Sequence, residues 1–201
     1  MTKIYTLMPD RLNLNGEQGN VLVLKRRIEW LGFRVEVVSV DSVAKLSELI
    51  TSGDLAKGGS FVFIGQGSLE TFGLFEKQKD SVTNLYSQLQ QAEIPTLVVG
   101  TLFELLASAP KLPEFRSEFV LEKFVGADFD ILGYAGTAYQ VEAIKLTGSS
   151  FIESVLHGPI LAKNPKLADW FLSKIGIPIS PNKQFEVVDE IIGRIWELEL
   201  P

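Results

Sequence analysis

The segment IPTLVVGTLFELL, Ile94 to Leu106, reads as a buried strand, a tight turn and the start of a helix. Strand–turn–helix junctions of this kind hold nucleophiles in several enzyme classes, because a sharp turn projects one side chain clear of the sheet. Here the turn offers only Gly100 and Thr101. Gly100 has no side chain to attack with. Thr101 brings a hydroxyl, a nucleophile chiefly when an N-terminal amine or a base activates it. The chain has no cysteine, which removes thiolate nucleophiles, thiolate metal ligands and redox pairs together.

The base available to such a nucleophile is His157, the single histidine. A lone histidine near a strand end is more often a hydrogen-bonded structural residue than a base. Its context, LHGPILAKNP, fixes the chain through Gly158 and Pro159 and could aim the ring into a mouth. General-base work also needs a nucleophile within hydrogen-bond reach. The stretch GQGSLETFG, Gly65 to Gly73, could hold an anion on its backbone N–H groups, or be a plain glycine-rich turn. Asp10, Asn13 and Asn15 could bond a ligand or satisfy their own loop. One histidine and scattered carboxylates make no recognisable ligand spacing, so no metal is expected. No GxxxxGK[ST] run follows a strand, which excludes the phosphate loop of nucleoside triphosphatases. No cofactor is implied.

The elements that must position these residues follow from periodicity. Lys3 to Met8, Arg34 to Val40, Ser60 to Ile64 and Thr96 to Val99 read as strands. The third is wholly apolar after Ser60, as a central parallel strand buried on both faces should be. Val21, Leu24, Ile28 and Leu31 recur at helical spacing, and Gly32 supplies a stop. Asp41 or Ser42 can cap a helix carrying Val43, Leu46, Leu49 and Ile50. Asp80 to Gln91 is a further amphipathic helix. Pro110 and Pro113 break the alternation. ILGYAG, YQVEAIKL and SSFIESVLH then read as short strands. Asn164 caps a helix with Pro165 at its first position, and Phe185 to Leu200 reads as the last helix.

Alternating strands and helices predict a mostly parallel sheet flanked by helices, an α/β fold, in one domain over residues 1–201. Ligands of such sheets bind beyond the carboxyl ends of the strands. That places Pro9 to Gly19, Gly65 to Gly73, Gly100 and Thr101 at one edge, with His157 if its strand ends there.

Composition narrows the partners. The formal net charge is −6 and the pI about 4.9, so the basic footprint of a nucleic-acid binder is missing. Lys25, Arg26 and Arg27 read as a solvated helix face. The opening MTKIYTLMPD meets Pro9 and Asp10 too soon for a secretory signal, and no run of 18 apolar residues predicts a membrane span. A cytoplasmic protein is the default expectation.

Two long segments then carry a resemblance. MPDRLNLNGEQGNVLVLKRRIEWLGF is similar to the pattern YPDLLNxYGDxGNxxxLxxRxxWRGI, and HGPILAKNPKLADWFL to HGPLLPKNPxLADxL. Both patterns belong to GatD-like class I glutamine amidotransferases, the cobyric-acid-synthase-like branch that includes the amidotransferase subunit of lipid II isoglutaminyl synthase. The chain resembles this family over nearly its whole length. The resemblance implies a Rossmann-like fold and hydrolysis of glutamine to glutamate and ammonia by a Cys on an elbow with a His as base. It also implies ammonia delivery to a Mur-ligase-like partner, MurT, in amidation of the peptidoglycan stem peptide. His157 falls at the family's His.

The departures gather at the site. The elbow pattern ICGGYQLLG, aligned through its helix, puts Gly100 at the Cys and Thr101 and Leu102 at the two glycines. The loop GGGQDxEQ becomes GQGSLETF, keeping Gly65 and Gly67 and replacing its Gln by Ser68. GFENHGGRT becomes LGYAGTAYQ, Leu132 to Gln140. Three readings stand. The first is a catalytically silent subunit that binds or regulates a Mur-ligase-like protein, or associates with itself. The second is a small-molecule sensor using the former glutamine pocket, with Asp10, Asn13, Gly65, Gly67 and Ser68 as ligand contacts. The third is an amidohydrolase with a changed nucleophile, pairing His157 with Thr101, Ser68 or Asp10.

Overall fold

The computed structural model describes residues 1–56 and 58–199. The strands and helices run β1 Thr2–Leu7, α1 Gly19–Trp30, β2 Val35–Val40, α2 Val43–Thr51, β3 Ser60–Ile64, α3 Leu69–Glu76, α4 Lys79–Gln91, β4 Thr96–Val99 and α5 Thr101–Leu106. There follow β5 Lys111–Lys123, β6 Asp130–Tyr139, β7 Ile144–Thr147, β8 Phe151–Ser154, β9 Leu156–His157, α6 Ile160–Lys163, α7 Pro165–Lys174 and α8 Lys183–Glu199.

The main sheet has the order β2-β1-β3-β4-β8-β7. All its pairings are parallel except β7 with β8. β3 lies between β1 and β4, and each of its residues is buried, as its apolar run demands. A second, antiparallel sheet, β5-β6-β9, stands beyond the carboxyl end of β4 in the chain. The fold is α/β, with a mostly parallel sheet flanked by helices.

Several sequence readings need correction, among them YQVEAIKL, which is not one strand: Tyr139 ends β6 and Ile144 begins β7. The stretch read as a glycine-punctuated loop contains α3, which starts at Ser68: its side chain accepts from the Thr71 N–H. β5 begins at Lys111 and runs through Pro113, where the pairing with β6 shifts between Lys111 and Arg116. Proline is tolerated there because β5 is an edge strand with a bulge. SSFIESVLH is not one strand. It leaves the main sheet at Ser154 and enters the second at Leu156. Leu200, read as the end of the last helix, lies outside the described residues.

Arg27 is a further correction. Lys25 and Arg26 are outside the core, but Arg27 is 2% exposed. Its guanidinium bonds Asp169 of α7 at 3.1 Å and Asp189 of α8 at 2.5 Å, and stacks 4.2 Å from the Phe185 ring centroid. A buried cation is tolerated when its donors are met, and this one ties three helices together. Charge patterning alone could not separate it from its neighbours in sequence.

Candidate functional site

The carboxyl edge of β3 and β4 opens into a cleft of about 840 Å³. Leu14 and Asn15 form one side, Gln66, Gly67 and α3 another, Glu104 and Leu105 the base, and Phe115, Tyr134, Gly136 and Tyr139 of the second sheet the far wall. His157 lines it as well. Lys79 and Lys111 contribute cations, and Glu76 and Glu104 carboxylates.

The elbow at the end of β4 is a true strand–turn–helix corner. Gly100 sits at φ +66°, ψ −104°, a left-handed conformation in which a side chain is strained. Its N–H is paired with the Ser154 carbonyl at 2.7 Å, in register with the neighbouring strand. Thr101 opens α5 and is 1% exposed. Its Oγ1 accepts from the Gly67 N–H at 2.8 Å and lies 3.2 Å from Gln66 Oε1. The Thr101 N–H donates to the same Gln66 oxygen at 2.6 Å. The threonine hydroxyl therefore binds the two turns together.

His157 ends β9, opposite Tyr134 of β6. Its Nε2 lies 2.5 Å from the Gly136 carbonyl, which can only accept, so Nε2 carries the proton. Its Nδ1 accepts from Asn15 Nδ2 at 3.2 Å. Gly136 must be glycine: a Cβ there would stand 2.6 Å from the imidazole Cδ2. Behind the ring, Glu17 is fully buried. Its carboxylate accepts from the Asn15 N–H at 2.8 Å and from Asn15 Nδ2 at 2.9 Å. Both imidazole nitrogens are thus committed to protein partners.

Glu104 is the remaining titratable group at the base. Burial pushes its carboxyl above the ordinary carboxylate range, and a hydrogen bond from Thr137 Oγ1 at 2.5 Å and the nearby His157 pull it back only in part. Among the described residues, no group of three or more His, Asp and Glu is placed to hold a metal ion.

The other candidates scatter. Asp10 is exposed and does not line the cleft. Asn13 Oδ1 accepts from the Gln18 N–H at 2.9 Å, so it satisfies its own loop. Gly65 is buried against the Leu12 carbonyl. Gly67 reaches the cleft but spends its N–H on Thr101. Ser68 caps α3. Gln66 and Glu104 were not singled out by their sequence context. The first becomes significant only when two loops 35 positions apart meet.

No family model matches the chain. It is 25% identical over 222 aligned positions to the lipid II isoglutaminyl synthase (glutamine-hydrolyzing) subunit GatD of Staphylococcus aureus (strain N315), covering 90% of this chain and 88% of that protein. This is a weak homology to GatD over most of the chain. The solved glutaminase domain of Trypanosoma brucei CTPS, with bound acivicin, shares its fold with a TM-score of 0.56. That likeness covers 92% of this chain and 99% of the other at 10% identity, and speaks to the fold alone. Among the described residues of this GatD homologue, no helix is long and apolar enough to cross a membrane.

Proposed function

We propose that this GatD homologue is a catalytically silent amidotransferase-like subunit, with residues 1–201 forming one domain. It binds a Mur-ligase-like protein and stabilises or regulates it in amidation of cell-wall precursors. The observation that carries the reading is the elbow. The turn that would present a nucleophile ends in Gly100, and its first helical N–H already donates to Gln66. Amide hydrolysis needs a nucleophile together with free oxyanion donors, and neither is available there. His157 as base would have to give up the bond from Asn15 or to Gly136. Thr101, Ser68 and Asp10 give no support to a changed nucleophile: the first two are engaged with backbone and the third lies off the cleft.

The test is glutamate release from millimolar glutamine, alone and with a co-expressed Mur-ligase-like protein, read beside light scattering of the mixture. The expected result is no turnover above background and a complex of larger mass. Turnover that vanishes in His157→Ala would overturn the silent reading, and a mixture that stays unassociated would overturn the partner reading. One observation favours a sensor as the second reading: the cleft is roomy and keeps two lysines and two carboxylates at its walls. Sites of this size commonly take small ligands.

A further inference from the structure

The Gln66 carboxamide occupies the elbow itself. Its Oε1 lies 2.6 Å from the Thr101 nitrogen and 3.2 Å from Thr101 Oγ1. A Cβ built on Gly100 would fall 1.6 Å from that oxygen and 2.6 Å from the Gln66 Cδ. No two atoms can share that volume. The residue at an elbow's tip is where such a turn carries its nucleophile, and the next N–H is an oxyanion donor. Gln66 covers the first by bulk and the second by a hydrogen bond.

The backbone that carries this side chain is also anchored. The Gln66 carbonyl accepts from the Leu14 N–H at 3.0 Å, and the following Gly67 N–H is held by Thr101 Oγ1. The aligned patterns carry the same exchange. In GGGQ against GQGS, Gln66 falls on a glycine, while Gly100 falls on the cysteine. The two positions touch.

We propose that Gln66 is an internal ligand of the elbow: the chain's own carboxamide sits where an external primary carboxamide would dock, and its place there requires a residue without a Cβ at position 100. This rests on reading the elbow as silent. It means that external ligands meet the cleft outside the elbow, and that removing the Gln66 side chain uncovers a seat for a small primary carboxamide.

Because the chain has no cysteine, Gly100→Cys introduces a single thiol and makes a clean probe. Wild type, Gln66→Ala, Gly100→Cys and the double variant are compared for melting temperature. The two thiol proteins are also compared for alkylation by iodoacetamide, a primary carboxamide, and by N-ethylmaleimide, which is not one. The backbone strain of a cysteine at φ +66° is common to both thiol proteins and cancels. The expected result is a melting temperature for the double variant above the sum of the single effects. Its thiol should react with iodoacetamide at least about tenfold faster than in Gly100→Cys alone, since access governs thiol reactivity, with a smaller gain for the maleimide. Additive melting temperatures and equal alkylation would overturn the proposal. Should Gly100→Cys not fold, amide exchange at Thr101 decides the matter in the Gly100 background. Loss of the carboxamide acceptor should speed exchange about tenfold in Gln66→Ala, and unchanged exchange would overturn it. Glutamine turnover by the wild type would sink the silent reading, whereas these measurements judge the Gln66–Gly100 pair on its own.

Discussion

At the scale of single residues, His157 is the position most open to misreading. Its neighbours HGP match the resembled pattern, which suggests a base. Its hydrogen bonds describe a brace: the ring links β6, through the Gly136 carbonyl, to the loop after β1, through Asn15. Replacing it by alanine removes both bonds and leaves the Gly136 carbonyl beside an empty space. His157→Ala should therefore cost about 1 kcal/mol of stability, the usual net worth of such bonds, and more if Asn15 cannot find water. Urea denaturation of the variant measures this. Equal midpoints for the two proteins would show that the ring braces nothing. Thr101 teaches the same lesson: a hydroxyl on an elbow invites the word nucleophile, yet its oxygen accepts a backbone N–H from the facing loop.

At the scale of elements, the two long recognisable segments turn out to serve each other. Asn20, at the start of α1, donates to the Glu17 carbonyl at 2.9 Å and to the Gly158 carbonyl at 3.2 Å, and accepts from the Leu161 N–H at 2.9 Å. Asn164 does similar work beyond α6. It was expected to cap α7, but its side chain makes no cap bond there. Instead it accepts from the Leu132 N–H at 2.8 Å and donates to the carbonyls of Leu132 at 2.8 Å and Ile160 at 2.7 Å. These motifs thus have an internal structural role. Asn20→Ala should destabilise the fold by about 1–3 kcal/mol, because the buried Leu161 N–H and Gly158 carbonyl lose their partner. A thermal melt unchanged from wild type would contradict that. What was legible in the sequence was whatever local pattern determines. β1 to β4 show as apolar runs, α1 and α4 as apolar stripes at helical spacing, and α2 through its Ser42 cap, whose oxygen accepts from the Lys45 N–H. What was not legible depends on contacts distant in sequence. The turn at Val155 switches sheets, Arg27 finds its carboxylates about 140 and 160 positions away, and Gln66 reaches the elbow across a loop. No periodicity encodes such meetings.

At the scale of the whole molecule, three partly or fully buried carboxyls share one sign of perturbation. Burial lifts Asp169 to about 6 against the pull of Arg27, with Asp189 adding to the rise. Burial likewise lifts Glu104 at the cleft base, and Glu153 of β8 despite its ion pair with Lys145. A carboxyl whose pKa is higher folded than unfolded binds more protons in the folded state, so stability falls as pH rises between the two values. For Asp169 the contribution is fully present below its ordinary value of 3.8 and is lost as pH rises through about 6. The three groups lie in different places, at the α1–α7–α8 junction, the cleft and strand β8 of the main sheet, so their effects should add. The melting temperature should therefore decline from the acid side toward neutrality. Asp169→Asn should flatten the slope between about pH 4 and 6, because its amide cannot ionise. Adding Glu104→Gln and Glu153→Gln should flatten it further. The net charge vanishes near the pI of about 4.9, where self-repulsion is weakest and association competes with unfolding. The melts therefore belong at low protein concentration, with reversibility checked at each pH. A wild-type stability that rises steadily from pH 4 to 7, or an Asp169→Asn protein with the wild-type slope, would show that the ion pair to Arg27 outweighs burial at this junction.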